Sequence, residues 1–221
     1  MNLLTKNRRL FVVLFFIVFL IFSFLNAAWF IGPIFGGYIA GKFGFNYVFL
    51  FASFVILISL LMFTYFGVKD NRTDKKIDYN TLKVIIEFFK KKERVLSYFI
   101  NSGTNFWWAL IYIYMPIYII EHGFSNFIVG LFISAAVVPL ILCEYYFGKL
   151  AGKKGFKRLF FKGHFIMGSV AILSFIYPNI YFVIPLMILA SFGAAMVEPT
   201  TDAYFFDVIK KNERDKFYGP F

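Results

Sequence analysis

Gly148-Lys149-Leu150-Ala151-Gly152-Lys153-Lys154-Gly155-Phe156-Lys157-Arg158 is a short basic stretch between two long apolar runs, Phe127–Phe147 and Leu159–Tyr177. Each run is of the length a helix needs to cross the hydrocarbon core, about 20 residues. The glycines permit a tight turn. The cations hold that turn on the cytoplasmic side, because Lys and Arg in short loops stay inside.

The pattern repeats outward in both directions. Six stretches qualify as spans: roughly Leu10–Ala40, Tyr47–Phe66, Val95–Ile120, Phe127–Phe147, Leu159–Tyr177 and Tyr181–Phe206. Lys and Arg number 3, 1, 9, 0, 6, 0 and 4 in the successive connections, so all 23 except Lys42 fall on one side. The start, Lys6-Asn7-Arg8-Arg9, could belong to a signal peptide. The apolar run after it is too long and lacks a small-residue cleavage site, so a retained span is expected. The 221 residues are 60% hydrophobic and 16% charged, whereas a soluble chain is about a quarter charged. So few charges could not cover a soluble domain. The expected fold is an all-α, polytopic membrane helical bundle of about six transmembrane helices. It should be a multi-pass protein of the cell membrane with both termini cytoplasmic.

The net charge of +11 would suggest nucleic acid in a soluble basic domain. Here it is an orientation signal, and the expected partners are the lipid bilayer and a small molecule. The single cysteine, Cys143, rules out an intrachain disulfide and a cysteine-rich zinc site. His122 and His164 stand in no H-E-x-x-H, C-x-x-C, G-x-G-x-x-G or P-loop pattern. No metal site, cofactor or covalent chemistry is implied, so an enzyme is not expected.

Three segments follow: a two-helix membrane segment over 1–66, a cytoplasmic central loop over 67–94, and a four-helix membrane segment over 95–221. Within the loop, Leu82, Ile85, Ile86 and Phe89 recur at helical spacing. They predict an amphipathic helix over Thr81–Glu93, lying on the inner leaflet or leading into the third span. Asn71-Arg72-Thr73 is formally a glycosylation sequon, but it falls on the cytoplasmic side. Upstream, Gly32-Pro33-Ile34-Phe35-Gly36-Gly37 with Gly41 sets glycines four apart, a flat strip along which another helix can pack. Pro33 removes one backbone hydrogen bond and permits a bend.

Taken together, these clusters resemble the major facilitator superfamily of secondary transporters. Gly32-Pro33-x-x-Gly36-Gly37 is similar to the end of that family's fifth-helix motif, and Phe43 to Phe49 to the start of its sixth helix. Gly148-x-Leu150-Ala151-x-Lys153-x-Gly155-x-Lys157-Arg158 resembles the loop motif that recurs after the second and eighth helices. Glu198-Pro199, Asp202-Ala203-Tyr204, Asp207 and Arg214 look like the tenth helix and the loop beyond it. Phe19 and Ala28 stand where the family has further glycines, and Gly152 where the loop motif has an aspartate. The resemblance covers helices five to ten of twelve, which implies a partial fold of this family. It also implies alternating access around a midplane site, with proton-coupled export of a small solute as one form.

Acids inside a membrane cost about 2.5–3.5 kcal/mol each at the helix centre, so Glu144, Glu198 and Asp202 call for a reason. Glu198 and Asp202 lie i,i+4 on one face of the sixth span, and Asp207 lies beyond them. They could exchange protons or pair with a cationic substrate, neighbouring carboxylates being suited to carry a proton between them. They could equally form gating or structural ion pairs with Lys153, Lys157 or Arg158. Asn101, Asn105, Trp108 and Tyr112, at i, i+4, i+7 and i+11, form a polar and aromatic stripe on the third span. It either lines a binding cavity or supplies interhelical hydrogen bonds. The family's seventh helix lines the central cavity, which favours binding. Tyr114, Tyr118 and Trp29 are expected as packing or interface aromatics. The rival from another class is a non-transporting membrane remnant, or a helix-packing subunit that requires a complementing chain or a second copy.

Overall fold

A computed structural model describes residues 27–67, 81–210 and 213–221. Lys6, Arg8, Arg9, the early part of the Leu10–Ala40 span, and the sequon at Asn71 lie outside the described residues. Every regular element among the described residues is helical. The first, α1, occupies residues 27–43, and Gly44 at φ 94° turns the chain into α2, Phe45–Tyr65. Next come α3 (Thr81–Phe88) and α4 (Lys92–Ala109). A π-helical turn (Leu110–Tyr114) leads directly into α5 (Met115–Glu121). The long helices α6 (Asn126–Lys154), α7 (Phe156–Ile176) and α8 (Ile180–Val208) follow, and α9 (Arg214–Phe217) is a single turn.

Four described helices, α2, α6, α7 and α8, are long and apolar enough to cross a membrane. The helical path from Lys92 through Glu121 is as long. Its start carries Lys92, Glu93 and Arg94, and polar Asn101, Ser102 and Asn105 follow, so it falls outside that set. In lipid, burying apolar side chains against one another gains little, and association rests on close packing and hydrogen bonds. The helix at the centre accordingly carries small side chains. Half of the apolar stretch of α8 is buried, through Ala190, Ser191, Gly193, Ala194 and Ala195 among others. α2 buries none of its residues.

Two crossings bring backbones together. A methyl group on Gly163 of α7 would come within 2.5 Å of the Gly193 carbonyl oxygen of α8. A methyl group on Gly37 of α1 would come within 2.5 Å of the Asn126 carbonyl oxygen of α6, and one on Gly130 would strike the Pro33 carbonyl oxygen. The Ser134 hydroxyl on α6 donates to the Phe30 carbonyl at 2.6 Å, tying the same pair of helices. Gly32 and Gly36 face open space, and Gly41 comes only to 4.0 Å of the Phe127 nitrogen. The packing partner of the strip is therefore Gly130, through Gly37 and the Pro33 carbonyl.

At one end of the bundle, α3 docks against α9 and the end of α8. It spans Thr81–Phe88, shorter than the sequence suggests, and buries Val84 and Phe88. Leu82, Ile85, Ile86 and Phe89 are exposed, because Phe88 is drawn into an aromatic cluster with Phe205 and Phe217. Arg94, 3% exposed, closes this cluster. Its guanidinium lies 4.0 Å from the Phe217 ring centre, and Nη2 donates to the Glu87 carbonyl at 2.8 Å. Lys216 reaches the Glu87 carboxylate at 2.6 Å, and this hydrogen bond holds the Glu87 carboxyl below its ordinary value.

Candidate functional site

The site begins with a proline. Pro116 has no N–H to give the Tyr112 carbonyl, and its ring clashes with that carbonyl in a regular helix. The preceding turn widens, and the Met115 N–H reaches back to the Leu110 carbonyl, the i→i−5 pattern of a π-helix. Such single wide turns inside α-helices are frequent at functional sites. Here the turn holds Tyr112 almost parallel to Trp108, at 5.2 Å between ring centres and 19° between planes.

Trp108 and Tyr112 form one wall of a cavity of about 370 Å³ bounded by α1, α4, the π-helical turn, α6 and α8. Trp29 of α1 supplies a third aromatic side, 6.1 Å from Tyr112. Glu144 of α6 and Glu198 of α8 also line it, with Val137, Leu140 and Pro199 closing the apolar part. Val137, Leu140 and Glu144 share one face of α6 at i, i+3 and i+7.

Pro199 cannot donate to the Ala195 carbonyl four residues earlier. The hydroxyls of Thr200 and Thr201 donate to the next two carbonyls along the same turn: Thr200 to Met196 and Val197 at 2.9 Å, Thr201 to Val197 at 2.8 Å. The first turn of α8 is capped by Asn179, whose side chain accepts from the Tyr181 N–H at 3.0 Å.

Trp108 Nε1 donates to Glu198 Oε2 at 2.7 Å. This bond links α4 directly to α8 across the cavity. Glu144 lines the same cavity, and Asp202 lies one turn further along α8. A carboxylate in this setting has two chemical options: to take up and release a proton, or to pair with a cation entering the cavity.

Of the residues singled out in the sequence, Trp108, Tyr112, Glu144 and Glu198 are brought together. Asn101 is not among them, since its amide donates to the Phe221 carbonyl at 3.3 Å. Asn105 is exposed and does not line the cavity. Asp202 lies one turn beyond Glu198, and Asp207 at the end of α8, both exposed. Among the described residues no ion pair joins Asp202 or Asp207 to Lys153, Lys157 or Arg158. Those three cations are exposed around the α6–α7 joint, where Gly155 adopts φ 82°; Gly148 is exposed within α6. Sequence reasoning placed Trp29 with the packing aromatics. Nothing in its local sequence reports that α1 crosses beside the π-helical turn.

Carboxylates and stacked aromatics thus line one partly open cavity between the membrane-type helices. The chain belongs to the Major Facilitator Superfamily, whose family model matches residues 16–220. It is 29% identical over 130 residues to an uncharacterized MFS-type transporter of Methanocaldococcus jannaschii, covering 57% of this chain and 33% of that protein. It is 26% identical over 190 residues to the staphylopine export protein of Staphylococcus aureus, covering 80% of this chain and 47% of that protein. An uncharacterized MFS-type transporter of Bacillus subtilis is 32% identical over 139 residues, covering 58% and 34%. The chain thus spans less than half the length of each of these relatives. No solved structure matches it.

Proposed function

We propose that the chain forms part of a secondary transporter that exports a small solute by alternating access, with protons as the coupling ion and Glu198 as the proton-carrying group. The observation that carries the reading is the hydrogen bond from Trp108 Nε1 to Glu198 inside the cavity. Protonation of Glu198 removes the charge that this bond serves. Proton uptake therefore loosens α4 from α8 at the point where both meet the solute, which is the coupling a proton-driven cycle requires. Glu144 lines the same cavity and offers a second carboxylate there. Asp202 and Asp207 lie on the path from Glu198 to the cytoplasmic end of α8 and serve as relay or gate. Asn101 and Asn105 then belong to the support of α4 rather than to solute contact. Trp108 sits near the middle of the Lys92–Glu121 helix, as a midplane site demands. Export as the direction follows the printed function of the Staphylococcus aureus relative.

In this reading residues 1–66 and 95–221 are membrane segments joined by a cytoplasmic 67–94 loop, in the cell membrane with both termini inside. The Gly148, Lys153, Gly155, Lys157 and Arg158 turn stabilises one state of the cycle from the cytoplasmic side. A second reading, a helix-packing subunit that works only with a complementing chain or a second copy, is favoured by α2, which buries none of its residues. One experiment addresses both. Proteoliposomes carrying the chain, alone and with the remaining helices of a relative, are tested for uptake of a solute panel under an imposed pH gradient. Accumulation in either format, reduced to passive exchange by Glu198→Gln, is expected. Accumulation only with the added helices selects the second reading. No accumulation in either format, or accumulation that Glu198→Gln leaves unchanged, overturns proton coupling at Glu198.

A further inference from the structure

The cavity has a chemical signature beyond its role in transport. We infer that the solute seated among Trp29, Trp108, Tyr112, Glu144 and Glu198 is an organic cation of low charge density, such as a quaternary ammonium, a phosphonium or a protonated aromatic amine. This inference rests on the reading of the cavity as the solute site.

Charge sign comes first. Among the described residues the lining holds two carboxylates, Glu144 and Glu198, and no Lys, Arg or His. An anion would add a third negative charge in a medium that screens poorly, whereas one positive charge relieves the repulsion.

The walls come second. Trp108 and Tyr112 are stacked side by side, and Trp29 stands against Tyr112 at 37°, so π faces bound the space on more than one side. A weakly hydrated cation gains most from such faces when it is desolvated, Trp being the best of them.

Hydrogen-bond supply comes third. The only donor of the Trp108 side chain is committed to Glu198 Oε2. Trp29 Nε1 and the Tyr112 hydroxyl are the other side-chain donors of the lining, while Glu198 Oε1 and the Glu144 carboxylate remain as acceptors suited to a protonated amine. Inorganic cations fit poorly. Among the described residues no three His, Cys, Asp or Glu side chains are grouped to hold a metal ion. Val137, Leu140 and Pro199 cannot replace a hydration shell. The volume of about 370 Å³ lies within the range of small-molecule sites.

The chain provides its own probe, because two of its three tryptophans, Trp29 and Trp108, line the cavity. The purified full chain in detergent is titrated with tetraphenylphosphonium and, in parallel, with tetraphenylborate, an ion of the same shape and opposite charge. Saturable quenching by the phosphonium alone is expected. Glu198→Gln should weaken it by at least about tenfold, and Tyr112→Leu, which keeps an apolar side chain but removes a π face, by about threefold or more. Helicity measured on each variant separates loss of the site from loss of the fold, and Glu144→Gln serves as the carboxylate test if Glu198→Gln does not fold. Equal binding of the borate, or phosphonium binding indifferent to both carboxylate variants, overturns the inference. Movement of an anionic or neutral solute that depends on Glu198 overturns it as well, while leaving the transport reading intact. Phosphonium binding that depends on Glu198, without flux in either liposome format, keeps the cation class and removes the transport reading.

Discussion

Trp108 serves the site with both parts of its side chain: the ring stacks on Tyr112, and the indole N–H anchors Glu198. Its position was legible in the sequence because it shares a helical stripe with Asn101, Asn105 and Tyr112. The stripe over-reached along the axis rather than around it. Asn101 lies seven residues before Trp108, about 10 Å along a helix, far enough to meet Phe221 instead of the cavity. The carboxylates were legible because ionised groups inside a membrane need a reason to be there. Their neighbour Trp29 was not, since an aromatic in an aromatic-rich span carries no such signal. Outside the membrane, Glu87 allows a pH prediction. Its carboxyl is held below its ordinary value by the hydrogen bond from Lys216, so the contact stabilises the fold fully above pH 4.5 and loses that effect as pH falls through the lowered native value. The thermal unfolding midpoint of wild type should therefore exceed that of Glu87→Gln by a constant margin from neutral pH down to about 4.5. Below that the two should converge. A margin that grows on acidification would refute the assignment.

Helix contacts obey a rule of close approach that composition only half reveals. Four-residue glycine spacing in α1 identified a packing strip, but two of its glycines face open space and Gly37 alone meets a backbone at close range. Spacing identifies a face; which point on it a neighbour crosses depends on where that neighbour has its own small residue, here Gly130. The sign of each Gly→Ala change follows from magnitudes. Replacing a helical glycine by alanine gains up to about 1 kcal/mol from propensity, while overpacking costs about 1–3 kcal/mol. Gly32→Ala and Gly36→Ala should leave the melting temperature unchanged or raised, and Gly37→Ala and Gly130→Ala should lower it. Scanning fluorimetry of the four variants checks this, and a uniform response would show that α1 does not cross α6 at Gly37. The π-helical turn allows a second test. Pro116→Ala restores the donor that Tyr112 lacks, so the turn should revert to regular α-helix and shift Tyr112 off Trp108. Such a variant should be at least as stable as wild type, yet bind the cavity ligand several-fold more weakly by tryptophan quenching. Unchanged affinity would mean that the wide turn does not shape the site.

On the scale of the whole molecule, the all-helical bundle was legible from charge and hydropathy because a bilayer imposes so few solutions on the backbone: every polar group must be satisfied within the span. The central place of α8 was not, since that follows from a run of small residues whose neighbours only the packing reveals. The proposed orientation rests on charge. The six-span reading of the sequence assigns all 23 basic residues except Lys42 to one side, and moving a Lys or Arg through the bilayer centre costs about 2.5–3.5 kcal/mol on insertion scales. With five cations between Gly148 and Arg158, the inverted arrangement is disfavoured at this turn alone by far more than Lys42 can offset. The turn between α5 and α6, with Glu121 and His122 exposed and no Lys or Arg, should then face outward. In a Cys143→Ser background, which removes the single native thiol, Lys153→Cys should react with an impermeant maleimide only after the cells are opened. His122→Cys should react in intact cells. The two positions flank α6 at its opposite ends, so labelling of both from the same side would show that α6 does not span the membrane. Exchange of the two patterns would instead keep the bundle and invert it, placing the cytoplasmic end of the proposed Glu198 proton path outside.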